Sequence, residues 1–123
     1  MSRPVELADV QRRVAEFGER ANLITVTADN KPHVVSAVIA FNGDRLRARV
    51  GSRTRANVIA QPHLTLTWQP TSGGEYMLIL DGLVETIGEP GADGVAEITV
   101  QVVSGILHRQ ADLPTSGPSC LAL

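Results

Sequence analysis

Cysteine is nearly missing from this sequence. Cys120 stands alone among 123 residues, so no intramolecular disulfide can form, and zinc sites built from several cysteines are excluded. Aromatic residues are scarce as well, amounting to Phe17, Phe41, Trp68 and Tyr76. A reader of single-stranded nucleic acid needs a basic domain and rings to stack on, whereas this chain carries a net charge of −2 and few rings. No apolar run approaches the roughly eighteen residues of a membrane span. Met1-Ser2-Arg3-Pro4 leads into a charged amphipathic segment without the apolar centre of a signal peptide. The expectation is a soluble cytoplasmic protein with no nucleic-acid partner and no membrane partner.

One further absence is local. No acid lies between Asp44 and Glu75, yet that stretch holds Arg45, Arg47, Arg49, Arg53 and Arg55. Outside the cluster, six basic residues face thirteen acidic ones, so charge is segregated along the chain. Two of the arginines open a predicted short helix, Ser52-Arg53-Thr54-Arg55-Ala56-Asn57-Val58. A helix start already presents partial positive charge and unpaired N–H groups, which disfavours arginine there by about 0.3–1 kcal/mol unless an anion offsets it. A phosphate is the anion such a terminus is built to hold. The competing reading is a solvated basic face, the commoner fate of charge clusters.

The length fits one domain, expected over 1–112, with 113–123 carrying the proline, glycine and serine chemistry of a flexible tail. Leu7, Val10, Val14 and Phe17 recur at helical spacing, and Gly18 stands where that helix should end. From Leu23 onward β-branched runs take over. Strands are expected at 23–27, 33–41, 46–50, 64–68, 76–86 and 94–107, with turns at Asp29-Asn30-Lys31-Pro32 and Asn42-Gly43-Asp44, and Pro62 closes the short helix. The chain therefore reads as mostly β: six strands, an N-terminal helix and a short helix between strands. Sequential hairpins without crossover helices argue for an antiparallel barrel.

Chemistry-bearing groups outside the arginine stretch are thin. His33, His63 and His108 lack ligand spacing, so no metal site is expected. Ser104-Gly105 lacks an elbow motif and a supporting base, and no paired carboxylates suggest acid–base work, so no catalytic residue is identified. Period-two alternation puts Leu46, Ala48 and Val50 on one face of their strand and Arg47 and Arg49 on the other. That strand runs through Gly51 into Ser52, whose hydroxyl can cap the helix or donate to a phosphate oxygen. Arg53 and Arg55 bring guanidinium forks matched to phosphate.

The order of these pieces resembles the pyridoxamine 5′-phosphate oxidase-like, FMN-binding split β-barrel family, a flavin and deazaflavin oxidoreductase superfamily. The resemblance rests on the opening strand 23–27, Lys31-Pro32-His33-Val34-Val35, the Ser52 to Val58 segment, Pro62 before 64–68, and the run from Tyr76 to Asp81-Gly82. It implies a six-stranded antiparallel split barrel that forms a homodimer, with FMN, or alternatively a deazaflavin, at the dimer interface and hydride transfer to or from a small organic substrate. By resemblance Ser52, Arg53 and Arg55 hold the cofactor phosphate, Val35 and Ser36 lie under the ring or ribityl chain, and Asn57 braces the helix. Thr54 stands where many members have lysine. Trp68 can stack on a ring or fill core, and His108 can reach the pocket from the partner subunit. The resemblance stops before the C-terminal residues with which vitamin B6 oxidases bind substrate, so pyridoxamine phosphate is not the expected substrate. The alternative from another class is a non-catalytic carrier for a flavin, tetrapyrrole or other anionic ligand.

Overall fold

The computed structural model describes residues 2–111, and the expected tail at 113–123 lies outside them. The first element, β1 (Ser2–Pro4), is followed by a 3-10 turn at Leu7–Asp9 and then α1 (Val10–Phe17). Val10 and Val14, one helical turn apart, are the buried residues of α1, and Gly18 ends the helix at a φ of 104° that a residue with a Cβ rarely adopts. Then come β2 (Arg20–Val26), β3 (Pro32–Asn42), β4 (Arg45–Val50), α2 (Ser52–Ala60), β5 (His63–Trp68), β6 (Tyr76–Ile87) and β7 (Ala96–Arg109).

Every strand pairing is antiparallel, and the order β7-β4-β3-β2-β5-β6 returns to β7, closing a six-stranded barrel. The seventh strand, β1, is the element the sequence did not reveal. It pairs with β7 at Ser2↔His108 to Pro4↔Ile106, beyond the point where β4 leaves that edge at Leu46↔Val100. Three residues are too few to show a period of two.

Alternation places Leu23, Leu46, Leu66, Leu78, Leu80, Ile98 and Val100 inside the barrel, each at most 2% exposed. Burial of each such side chain is worth about 1.5–3 kcal/mol. The wall is tightest between β6 and β7, where a Cβ at Gly82 would collide with Val100 Cγ1 and one at Gly105 would lie 2.7 Å from Leu80 Cδ2. Glycine is what lets these two strands approach, and the register shifts beside Gly82. Among the described residues no helix is long and apolar enough to cross a membrane.

Candidate functional site: the β3–β4 opening and the start of α2

β3 has only one strand neighbour at a time. Its first part, Pro32 to Val38, pairs with β2, and its last part, Ile39 to Asn42, pairs with β4. The β3–β4 ladder stops at Ile39↔Ala48, although β4 runs on to Val50 while paired with β7. The edge of 36–38 that faces β4 is left without a strand partner. A groove of about 510 Å³ opens there, lined by Ser36, Val38 and Ala40 of β3, Arg47 and Arg49 of β4, and Glu97 of β7.

At the end of β4 the chain enters α2 through Gly51, the N-cap residue, whose backbone is extended. No side chain caps the helix, so its first N–H groups have no side-chain acceptor. A Cβ on Gly51 would meet nothing within 4 Å, so nothing in the chain itself demands glycine at this place. Ser52 is therefore the first helical residue and not the cap; it is exposed, as is Arg53.

The opposite face of α2 is anchored. Thr54, Asn57 and Val58, spaced i, i+3, i+4, are its buried residues. Asn57 Nδ2 donates to Thr25 Oγ1 at 3.0 Å, a hydrogen bond between two buried side chains, so Asn57 does brace the helix against β2. Gln61 Nε2 donates to the Thr27 carbonyl at 3.0 Å, and Arg55 Nε donates to the Gly88 carbonyl at 2.9 Å. Thr54 is 2% exposed, so a lysine there would have to reorganise its surroundings to bring its charge to water.

The arginine cluster is not left without counter-charge. No acid lies inside the stretch, but Asp44 adjoins it and the fold brings further acids to it. Arg45 pairs with Asp44 and Glu85, Arg49 with Asp93 at 3.2 Å, Arg55 with Glu89 at 3.6 Å, and Arg47 loosely with Glu97 at 4.0 Å. The hydrogen bond that Arg45 donates to Glu85, with the nearby Asp44 charge adding to it, pushes the Arg45 guanidinium above its ordinary range. Arg53 alone of the five has no ion-pair partner among the described residues. Arg53, at the helix start, is therefore free to meet an exogenous anion, and Arg47 is held only loosely.

Two other expected site residues are placed elsewhere. Trp68 is 2% exposed, packs in the core and donates its indole N–H to the Gly18 carbonyl at 2.9 Å. Its ring has almost no accessible face, so its role is structural and it cannot stack on a ligand. His108 pairs across to Met77 and contacts Ser2 Oγ through Nδ1 at 3.1 Å. Arg55 touches Gly88, eleven residues from Met77, or about 36 Å along the ribbon at 3.3 Å per residue. The chain's own His108 is thus at the far end of the β6–β7 ribbon from α2. Val35 is half-buried and packs against the core, while Ser36 lines the groove. Among the described residues no cluster of three or more His, Cys, Asp or Glu could hold a metal ion.

No family model matches the chain. It is 35% identical over 113 residues to an uncharacterized protein of Mycobacterium bovis and, to the same extent, to one of Mycobacterium tuberculosis, covering 82% of this chain and 80% of each relative. Among solved structures, an F420 reductase superposes with a TM-score of 0.62 at 23% identity, covering 70% of this chain and 87% of that one. A pyridoxamine 5′-phosphate oxidase-type protein from Listeria innocua superposes with a TM-score of 0.67 at 17% identity, over 85% of this chain and all of that one. A haem storage protein from Vibrio cholerae gives 0.63 at 12% identity, over 85% and 96%. With the two mycobacterial proteins the chain therefore belongs to one family, whose fold is the split β-barrel of the pyridoxamine 5′-phosphate oxidase-like proteins.

Proposed function

We propose that the chain binds a flavin-type cofactor, FMN or a deazaflavin, at the β3–β4 opening and acts as an oxidoreductase on a small organic molecule. One observation carries the reading: an uncapped helix start bearing the unpaired Arg53 lies at the end of a strand whose neighbour presents an open backbone edge. Helix N–H groups, the Ser52 hydroxyl and the Arg53 fork suit a phosphate. The edge at 36–38 suits a planar ring with hydrogen-bonding atoms, and the empty space over Gly51 leaves room between them. Arg55 is held by Gly88 and Glu89, so it contributes charge beside the phosphate more than a free fork.

Bound there, the flavin-type ring would supply hydride transfer. The chain's part is positional: Asn57 and Gln61 fix α2, Arg53 neutralises phosphate, and the groove walls exclude water from one side. The similarity to an F420 reductase supports the deazaflavin alternative. The cofactor site is completed by a second copy of the chain, which would cover Val34 and Val38, exposed at 57% and 48% on the outer face of β3. Light scattering should then report a dimer at micromolar concentration, and a monomer there would remove this part.

A second reading has a specific basis. A haem storage protein and a haem-binding protein of Mycobacterium smegmatis share the fold, so a non-catalytic carrier of a tetrapyrrole or flavin is the alternative. Absorption titrations of the purified chain with FMN, F420 and haemin separate the cases. Saturable binding of FMN or F420, followed by hydride exchange with NADPH or a quinone panel, supports the enzyme. Binding of haemin alone moves the assignment to the carrier, and no binding of FMN or F420 ends the flavin reading.

A further inference from the structure

We infer that the outer recess over β2 and β5, beside the cofactor groove but outside it, binds a small organic acid, with Arg20 taking the carboxylate. The recess has a volume of about 310 Å³, and around it stand Arg20 and Asn22 of β2, Thr67 of β5, Gln69 just beyond β5, Phe17 of α1 and Ser36 of β3. Of the residues that line the groove beside β4, it shares only Ser36. The two spaces lie on either side of β3, so a ring seated in one leaves the other free.

Arg20 is an exposed cation that the fold leaves without a counter-charge. Arg12 and Arg13 pair with Glu16, Arg109 pairs with Glu75, and Arg3 lies over the Tyr76 ring. The Arg20 side chain has no ion pair and no hydrogen bond among the described residues. Glu19, its neighbour in sequence, lines the groove beside α1 instead. Arg47 is a poorer candidate, since its Nε is buried without a partner, out of a ligand's reach, and it borders the cofactor groove. An exposed guanidinium can turn its fork of donors to a carboxylate without any rearrangement of the barrel.

The polar side chains next to Arg20 are unpartnered as well. Asn22 pairs across to Ser36 on one side and to Thr67 on the other, yet its amide bonds to neither, and Gln69 has no side-chain partner among the described residues. The next row of the same outer face is arranged differently: Thr65 donates to Asp81 at 2.7 Å and Ser104 donates to it at 3.3 Å. That row satisfies itself, whereas the row at Asn22 is satisfied by water until something replaces it. Two carboxamides that both donate and accept, with a hydroxyl, surround one cation, a set that suits an acid carrying a further hydroxyl or carbonyl group. Phe17, partly buried against the core, gives the ligand's hydrocarbon an apolar wall. A recess of this size is at the lower end of small-molecule sites.

The acid site itself goes beyond the flavin reading; its role as the seat of the substrate rests on that reading. The two spaces meet at Ser36, so an acid held by Arg20 would lie beside the edge of the ring. Val38, directly across from Arg20, and Val34 are the exposed residues at the rim, so a second copy seated on them would roof the recess and leave its interior to the ligand.

The test uses the full chain, with and without FMN or F420, and two probes of one shape, 3-hydroxybenzoate and the neutral 3-hydroxybenzamide, read by ¹H–¹⁵N NMR. The benzoate should shift the side-chain amide signals of Asn22 and Gln69 saturably, and the benzamide should bind about tenfold more weakly. Arg20→Gln should weaken the benzoate about tenfold and leave the dissociation constant of FMN or F420 within about twofold. Equal binding of the two probes, unmoved Asn22 and Gln69 signals, or an unchanged benzoate affinity in Arg20→Gln would each overturn the inference. So would a monomer in light scattering for Arg20→Gln where the unchanged chain is a dimer, because Arg20 would then belong to the contact between copies. Cofactor binding without benzoate binding removes this site and leaves the flavin reading standing. Benzoate binding that depends on Arg20, without cofactor binding, keeps the acid site and removes the flavin reading.

Discussion

The two edges of β3 face different surroundings. Along 39–42, where β2 no longer pairs with it, the space is flanked by α1, whose Gln11, Val14 and Ala15 face Ile39, Ala40 and Phe41, and Ile39 N–H donates to the Glu19 carbonyl at 2.7 Å. Along 36–38, where β4 no longer pairs with it, the space opens on Arg47, Arg49 and Glu97 and on the start of α2. Both gaps leave a groove, of about 530 Å³ beside α1 and about 510 Å³ beside β4, but the first is flanked mainly by apolar side chains and the second by charged ones. Apolar side chains packed beside a gap stabilise the barrel, whereas charged side chains beside one can meet a ligand. The α1 side and the β6–β7 seam should therefore respond to mutation in stability, and the α2 side in binding.

The largest effect is expected at Trp68, which joins the α1 end to the core through its ring and through its bond to Gly18. Trp68→Ala should lower unfolding stability by about 3–5 kcal/mol in urea titration. Trp68→Phe, which keeps most of the volume and loses the indole bond, should recover more than half of that. If either variant instead kept its stability and lost only cofactor affinity, the division between the two edges would be wrong.

Next comes the seam. Gly82→Ala forces a methyl group into Val100, with Leu64 Cδ1 3.4 Å away, and should cost about 1–3 kcal/mol by the same measurement. The cofactor dissociation constant of the folded fraction should stay within twofold, because Gly82 lies six residues along β6 from Gly88, the carbonyl to which Arg55 of α2 donates. Asn57→Ala sits between the two classes. It strands the buried Thr25 hydroxyl and removes a strut of α2, so a loss of about 1–3 kcal/mol should come together with weaker cofactor binding. Stability loss without a binding change would mean that α2 does not need this brace to present its first turn.

How much of this was legible beforehand follows the range over which each interaction acts. The turn at Asn42-Gly43-Asp44, the end of α1 at Gly18 and the inward row of β4 are properties of a few consecutive residues, and each is where the sequence placed it. The six-stranded barrel was legible too, because hairpin order limits the topology. What was not legible is made across the sheet. Arg45 meets Glu85, Arg49 meets Asp93 and Arg55 meets Glu89, partners more than thirty residues away, so an acid-free stretch of sequence is not an acid-free region of space. Trp68 shows the same limit, since an alternating strand says that its last residue points inward but not that a helix end will bond its indole. The unpaired Nε of Arg47 and the early end of the β3–β4 ladder have no sequence signal at all, since both depend on where neighbouring strands diverge.

The smallest effect on folding is expected at the residue that matters most to the proposed cofactor. Arg53 is exposed and makes no ion pair among the described residues, so Arg53→Ala should change unfolding stability by no more than about 0.5 kcal/mol in either direction. Within that range the apoprotein should be slightly stabilised, by relief of a cation at a helix start, and a bound phosphate should reverse that sign. The dissociation constant for FMN or F420 should rise about tenfold, equivalent to about 1.4 kcal/mol. Arg45→Ala is the matched control: it also removes one arginine from the same stretch, but one already held by Glu85, and should leave the constant within twofold. If the two variants weaken binding equally, the effect belongs to the net charge of the stretch. If only Arg53→Ala weakens it, and does so less at high salt, the contact is a local one between a guanidinium and a phosphate at the start of α2.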